Sequence, residues 1–269
     1  MNAEKPETTV EVGENLIHFI ARSPSVFHAV HGVKEALLYS GFTEIREEDP
    51  WRIEKGGKYV VTRNGSALIA FTVPEEGARS FHIMASHADS PCFKIKENPE
   101  IKEGPYVKLN VEGYGGMIMS TWLDRPLSVA GRLIVRENGH LAQKLAAVDG
   151  TMLVIPSVAI HMDRNVNHKK DWNVQKDLLP LYGLATEKTS FMDVIAASAN
   201  VKTEDIVAHD LYLYSRVPGT IWGEEKEFIS SPKLDDLQCA FAAFRGFMRG
   251  KKEKHLSEYA LFDNEEVGR

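Results

Sequence analysis

Phe81-His82-Ile83-Met84-Ala85-Ser86-His87-Ala88-Asp89-Ser90-Pro91 is the stretch from which the fold is read. Phe81 to Ala85 is a short run that reads as a buried strand. It delivers the chain directly into a polar cluster, His87-Ala88-Asp89, closed by Ser90-Pro91. Open α/β sheets carry their functional groups where strands end on the carboxyl side, so this strand and its polar exit imply an α/β layer with chemistry at its rim.

Upstream, Lys58 to Thr62 and Ser66 to Phe71 flank Arg63-Asn64-Gly65, and Asn-Gly between two such runs marks a β-hairpin. Before it, Val12, Leu16, Ile17, Phe19 and Ile20 recur at three- and four-residue steps and predict a helix. Ser23-Pro24-Ser25 interrupts it. Ser25 is placed to cap a second helix carrying Phe27, Val30, Val33, Leu37 and Leu38, and Gly41 is placed to end it.

Downstream the pattern changes. From about 98 to about 226, short apolar runs broken by Gly and Pro (Tyr106 to Val111, Leu127 to Val135, Thr151 to Ile160) predict a β-rich insert, with Asp171 to Leu181 as a loop or arm. After Ser231-Pro232 comes Lys233-Leu234-Asp235-Asp236, then a helix from Leu237 to about Arg249. A last strand, Tyr259 to Phe262, leads into Glu265-Glu266. The division read from this is a first part of an α/β domain at 1–97, an insert at 98–226, and a second part at 227–269. The chain stops just after an acidic pair with no closing element, which reads as a portion of a longer or cleaved protein rather than a gene end.

With 269 residues, 43% hydrophobic and 26% charged, the chain has the composition of a folded protein with room for two cores. The net charge of -6 comes from interspersed acids and bases. There is no basic patch for nucleic acid, no signal peptide pattern and no apolar run long enough for a membrane span. Two distant cysteines, Cys92 and Cys239, argue for a reducing cytoplasm rather than a disulfide framework.

Three polar clusters therefore lie beyond strands or at a helix start: His87-Ala88-Asp89, Asp235-Asp236 and Glu265-Glu266. Two-metal hydrolysis needs these residue types. A pair of zinc ions takes imidazole and carboxylate ligands with one carboxylate bridging, and the attacking water needs a free carboxylate as base. His87 can supply a nitrogen, Asp89 can hold its other ring N–H, Asp235 can bridge, and the two glutamates can divide the roles of ligand and base. Each cluster also has a plainer reading: a structural histidine, an acidic helix start, a solvated acidic face, with Cys92 a buried bystander. No spacing here is a zinc signature such as H-E-x-x-H.

Taken in order, Ser23-Pro24-Ser25 with Phe27-His28-Ala29, Ser86 to Pro91, Tyr114-Gly115-Gly116, Thr121 to Leu127, Ile160 to Asn167, Pro232 to Asp236 and Phe262 to Gly268 resemble the aspartyl aminopeptidase family of zinc metallopeptidases over nearly the whole chain. The resemblance implies a phosphorylase/hydrolase-like α/β zinc exopeptidase domain interrupted by a β-rich dimerisation domain. Such enzymes remove acidic or neutral N-terminal residues from peptides, use two zinc ions per site, and assemble from dimers into a tetrahedral twelve-subunit shell. By position in the motifs it implies that His87, Asp235 and Glu266 are zinc ligands with Asp235 bridging. Glu265 would be the base, Asp89 would support His87, and His161 would reach a neighbouring subunit's site. A further aspartate and a late histidine ligand are expected beyond Arg269, so this chain alone is predicted to be inactive. The alternatives are a non-catalytic assembly fragment or another co-catalytic metallohydrolase such as a deacetylase.

Overall fold

A computed structural model describes residues 7–186, 190–250 and 254–268. Helix α1 (Thr9–Ala21) starts in a capping box: the Glu11 N–H donates to Thr8 Oγ1 at 3.2 Å, and the Thr8 N–H donates to Glu11 Oε2 at 2.6 Å. Helix α2 (Val26–Tyr39) ends in a Schellman turn, with Gly41 at φ +85°, Phe42 N–H donating to the Leu37 carbonyl and Gly41 N–H to that of Leu38. Ser25 occupies the N-cap position of α2 but makes no side-chain cap. Its hydroxyl pairs instead with His28 Nδ1 at 2.8 Å, because the imidazole one turn on competes successfully for it.

After the short β1 (Thr43–Glu44), β2 (Lys58–Arg63) and β3 (Ala67–Thr72) form the expected hairpin. Asn64 at φ 55° and Gly65 at φ 67° are the left-handed central pair of the turn, closed by the Ser66 N–H donating to the Arg63 carbonyl at 3.1 Å, within a three-residue loop before Ala67. Strand β4 (Phe81–His87) is where it is expected, but it is not buried: Phe81 is 63% and Ile83 62% exposed. Its position explains this, since β4 lies at the edge of its sheet.

The chain next enters a unit of its own, Pro91–Val217. It contains β5 (Cys92–Glu103), β6 (Tyr106–Tyr114), β7 (Leu127–Glu137), β8 (His140–Ala147), the short α3 (Val174–Asp177), β9 (Leu181–Leu184), α4 (Phe191–Ser198) and β10 (Ile206–Ser215). The six strands form one sheet in the order β8-β7-β10-β5-β6-β9. Alternation along β10 buries Leu211 and Leu213 with Phe93, Ile95, Val129 and Leu133. At Gly131 a Cβ would stand 1.9 Å from the Asp210 carbonyl, so only glycine lets β7 and β10 pair there. Two sequence expectations need correcting. Of Thr151 to Ile160, only Leu153 to Ile155 is bridged to neighbours before Pro156 turns the chain away. The supposed arm at Asp171 to Leu181 contains α3, capped by Asn173, and runs into β9.

The remaining residues complete the first unit, 1–90 and 218–269. They supply β11 (Thr220–Trp222), β12 (Phe228–Ser230), α5 (Leu234–Arg249) and β13 (Leu256–Phe262). The sequence sets the unit boundaries at about 98 and 226. The contacts set them earlier on both sides, because β5 already begins at Cys92 and the β11–β12 hairpin packs on α1 through Ile221 and Ile229. This unit's sheet has the order β1-β2-β3-β13-β4, with β13 antiparallel to β3 and parallel to β4. Helix α5 packs on β13: Leu237, Ala240 and Phe247 are buried, and the Tyr259 hydroxyl donates to the Ala240 carbonyl at 3.1 Å. A side chain such as Phe247, 1% exposed, contributes about 1.5–3 kcal/mol by its burial. The parallel register pairs Phe262 with His87, which brings the polar exits of β4 and β13 to the same end of the sheet.

Candidate metal centre

His87 is the last residue of β4, and three contacts fix it. Its backbone N–H points off the free edge of the strand and donates to Asp236 Oδ2 at 3.1 Å. Its Nδ1 faces two oxygens of Asp89, the carbonyl at 3.1 Å and Oδ1 at 3.2 Å. Both are acceptors, so Nδ1 carries the proton and Nε2 presents a lone pair, the tautomer that a metal ligand needs. Around Nε2 stand Asp236 Oδ2 at 3.6 Å, Glu265 Oε2 at 3.6 Å and Asp235 Oδ1 at 3.9 Å.

Asp89, 3% exposed, serves two elements. One oxygen meets His87, and the other accepts the N–H of Glu266 at 3.1 Å, tying the end of β4 to the turn after β13. That turn, Glu265–Val267, is a single 3-10 turn framed by Asn264 at φ 64° and Gly268 at φ 71°. Adjacent glutamates on it face different surroundings. The Glu265 side chain is 62% exposed, while Glu266 Oε1 is shut off from solvent with no hydrogen-bond partner.

The acidic pair on α5 is likewise asymmetric. Asp235 (φ −86°, ψ 109°) and Asp236 (φ −114°, ψ 18°) are not helical, and the peptide between them is cis, so the regular helix begins at Leu237 as the sequence suggests. The Asp235 side chain is 73% exposed and that of Asp236 only 15%. Asp236 belongs to a cluster that the sequence marks, but the sequence reading gives a role to Asp235 alone. Only the backbone geometry shows which of the two turns inward.

Five carboxylates thus surround one imidazole. Burial pushes the carboxyl of Glu266 up to about 7, and Asp235 and Asp89 add to this. For His87, burial disfavours the charged ring, but Asp236, Asp89 and Glu265 together outweigh it and raise its pKa. Donor atoms of His87, Asp235 and Asp236 lie within 4.8 Å of one another, and so do those of His87, Glu265 and Glu266. A nitrogen and several carboxylate oxygens are the donor set of zinc and of other borderline divalent cations. The orphaned Glu266 oxygen is an observed group that such an ion would satisfy.

The structure therefore brings His87, Asp89, Asp235, Glu265 and Glu266 together within one unit. His161 belongs to the Pro91–Val217 unit, on an exposed turn. Cys92 is buried and Cys239 exposed, and neither is in a disulfide.

Comparison with known proteins places the chain in a family. Residues 19–269 match the family model described as aminopeptidase I zinc metalloprotease (M18). The chain is 45% identical over 268 residues to a probable M18 family aminopeptidase 2 of Clostridium acetobutylicum, covering 96% of this chain and 62% of that protein. It is 34% identical over 290 residues to an aspartyl aminopeptidase of Caenorhabditis elegans, with the same two coverages, 96% and 62%. Among solved structures, a chain of the Ape4 and Nbr1 complex superposes with TM-score 0.91 at 31% identity, over 96% of this chain and 55% of that one. The S. cerevisiae mApe1 dodecamer gives 0.82 at 26% identity, over 96% and 61%. The chain thus spans about three-fifths of the length of these relatives. It belongs to the M18 family of aminopeptidase I zinc metalloproteases.

Proposed function

We propose that this protein is a zinc-dependent aminopeptidase that removes N-terminal residues, acidic or neutral, from peptides. The observation that carries the reading is the gathering of Asp235, Asp236, Glu265 and Glu266 around the Nε2 lone pair of His87, with a buried oxygen of Glu266 left unpaired. In this reading His87, Asp235 and Glu266 would hold zinc, and Asp235 would be the carboxylate available to both ions. Zinc supplies Lewis acidity toward the scissile carbonyl and the attacking water. The chain's own residues do the rest. Asp89 holds the His87 proton on Nδ1 and fixes the Glu266 backbone. Glu265, exposed and 3.6 Å from His87 Nε2, takes the proton of the attacking water and passes it to the departing amine.

Homo-oligomerisation belongs to the same proposal. The mApe1 relative is described as a dodecamer, which supports homo-oligomerisation. The finer part of the proposal is an assembly built from dimers through the β-rich insert, in tetrahedral arrangement, with His161 reaching a neighbouring copy's site. No helix among the described residues is long and apolar enough to cross a membrane, and two cysteines outside any disulfide suit a reducing cytoplasm. The test is an assay of the protein with zinc or manganese, on aspartyl, glutamyl and leucyl substrates. Metal-dependent release of the N-terminal residue is the expected result; no release with either metal would overturn the reading.

A further inference from the structure

Lys233 stands two residues before Asp235, at the N-cap of α5, with φ 57° and ψ 30°. That left-handed conformation is uncommon for a residue with a Cβ, and glycine would adopt it without steric cost. What glycine would lack is the side chain. The Lys233 ammonium donates to the carbonyl of Ser23 at 2.9 Å and to that of Pro24. Both carbonyls belong to the junction between α1 and α2, which is itself tightly held. Ser23 and Ser25 are 3% and 5% exposed, Ser23 Oγ donates to the Phe19 carbonyl at 2.8 Å, and Ser25 Oγ pairs with His28 at 2.8 Å.

Residues 235 and 236 are not helical, so the hydrogen bonds of α5 do not fix their position. They are strung between two anchors: Lys233 through its ammonium, and Leu237 through burial at 1% exposure. Asp236 then accepts the outward N–H of His87. The path from Lys233 to the metal-ligating candidates is therefore two residues of backbone and one hydrogen bond.

We propose that Lys233 is a positioning residue: by clamping the Asp235–Asp236 segment to the α1–α2 junction it sets the aspartates against His87. Its consequence for zinc rests on the metal-centre reading above, whereas the positioning itself does not. The buried imidazole of His28 is consistent with a charged clamp at this junction. Burial, then Lys233 and His31, hold it in the neutral form, with its pKa lowered to about 4.

The experiment compares the full chain with Lys233→Met, Lys233→Gly and Lys233→Arg by residue-resolved amide exchange, and by competition for zinc. Loss of the clamp should speed exchange of the His87 amide by about tenfold in the Met and Gly variants, with the β13 amides of Tyr259 to Leu261 unchanged. Zinc affinity should fall about 10- to 100-fold, the usual effect of losing an outer-sphere support. Lys233→Arg, which can still donate to both carbonyls, should restore both readouts. His87 exchange unchanged in the Met and Gly variants would overturn the proposal. So would a rise spread over the whole sheet, which would mark a folding role only. If the wild-type chain binds no zinc, the metal reading falls and the amide result still decides the positioning.

Discussion

Two groups of half-buried charges in this chain have opposite balances. In the Pro91–Val217 unit, Asp210 lies between Lys94 and Arg132, each 2.9 Å away. Burial pushes its carboxyl up, but Lys94 and Arg132 more than offset this and hold it below the usual carboxylate range. At His87, five carboxylates gather around one imidazole, and the carboxyl of Glu266 rises to about 7. One group is neutralised from within and needs nothing more. The other leaves a buried oxygen unpaired and mutually repelling acids in place, an arrangement that an external cation would relieve.

The sharpest way to break the comparison is to separate charge that binds from charge that reacts. Glu265→Gln in the complete protein should keep its zinc and lose turnover by about 10²–10⁴, the scale of a general base. If Glu265→Gln loses zinc while Glu266→Gln keeps it, the two roles are exchanged. Next in size, His87→Ala and Glu266→Ala should each lower bound zinc measured by elemental analysis, since each removes a donor. Asp210→Asn should leave zinc unchanged. Equal zinc in all three variants would erase the distinction between the two groups.

A third group gives a pH test. His28 has a folded pKa of about 4 against an unfolded value near 6.5, so the unfolded state binds more protons between these limits. Its contribution is complete above about 6.5 and is lost as pH falls toward 4, amounting to about 1–3 kcal/mol. Denaturant unfolding of wild type and His28→Gln from pH 7 to pH 4 should show a steeper acid loss in the wild type; parallel curves would contradict it. The smallest effect belongs to the neutralised group. Asp210→Asn removes the carboxylate between Lys94 and Arg132, and because the site is only half-buried the cost should be about 1–2 kcal/mol in the same unfolding measurement.

Local signals carried much of the fold. Asn64-Gly65 encodes its turn through two positive φ angles, Gly41 encodes a helix end, and the apolar spacing of α1 and α5 encodes their buried faces. The three polar clusters were visible because each follows a strand or opens a helix. Their convergence was not visible, because it depends on the parallel register of β4 and β13 across an inserted unit, and no local pattern encodes that pairing. The exposure of β4 was missed for a related reason, since a five-residue apolar run reads alike in a central strand and at an edge. Asp236 was given no role because adjacent acids look alike until the backbone turns one of them inward.

If the carboxylates around His87 are assembled for a metal ion, X-ray absorption at the zinc edge of the zinc-loaded protein should show it. The expected spectrum has a first shell of nitrogen and oxygen alone at about 2.0–2.2 Å, with imidazole scattering that weakens in His87→Ala. Sulfur in that shell, which would implicate Cys92 or Cys239, or an imidazole signal untouched by His87→Ala, would contradict it.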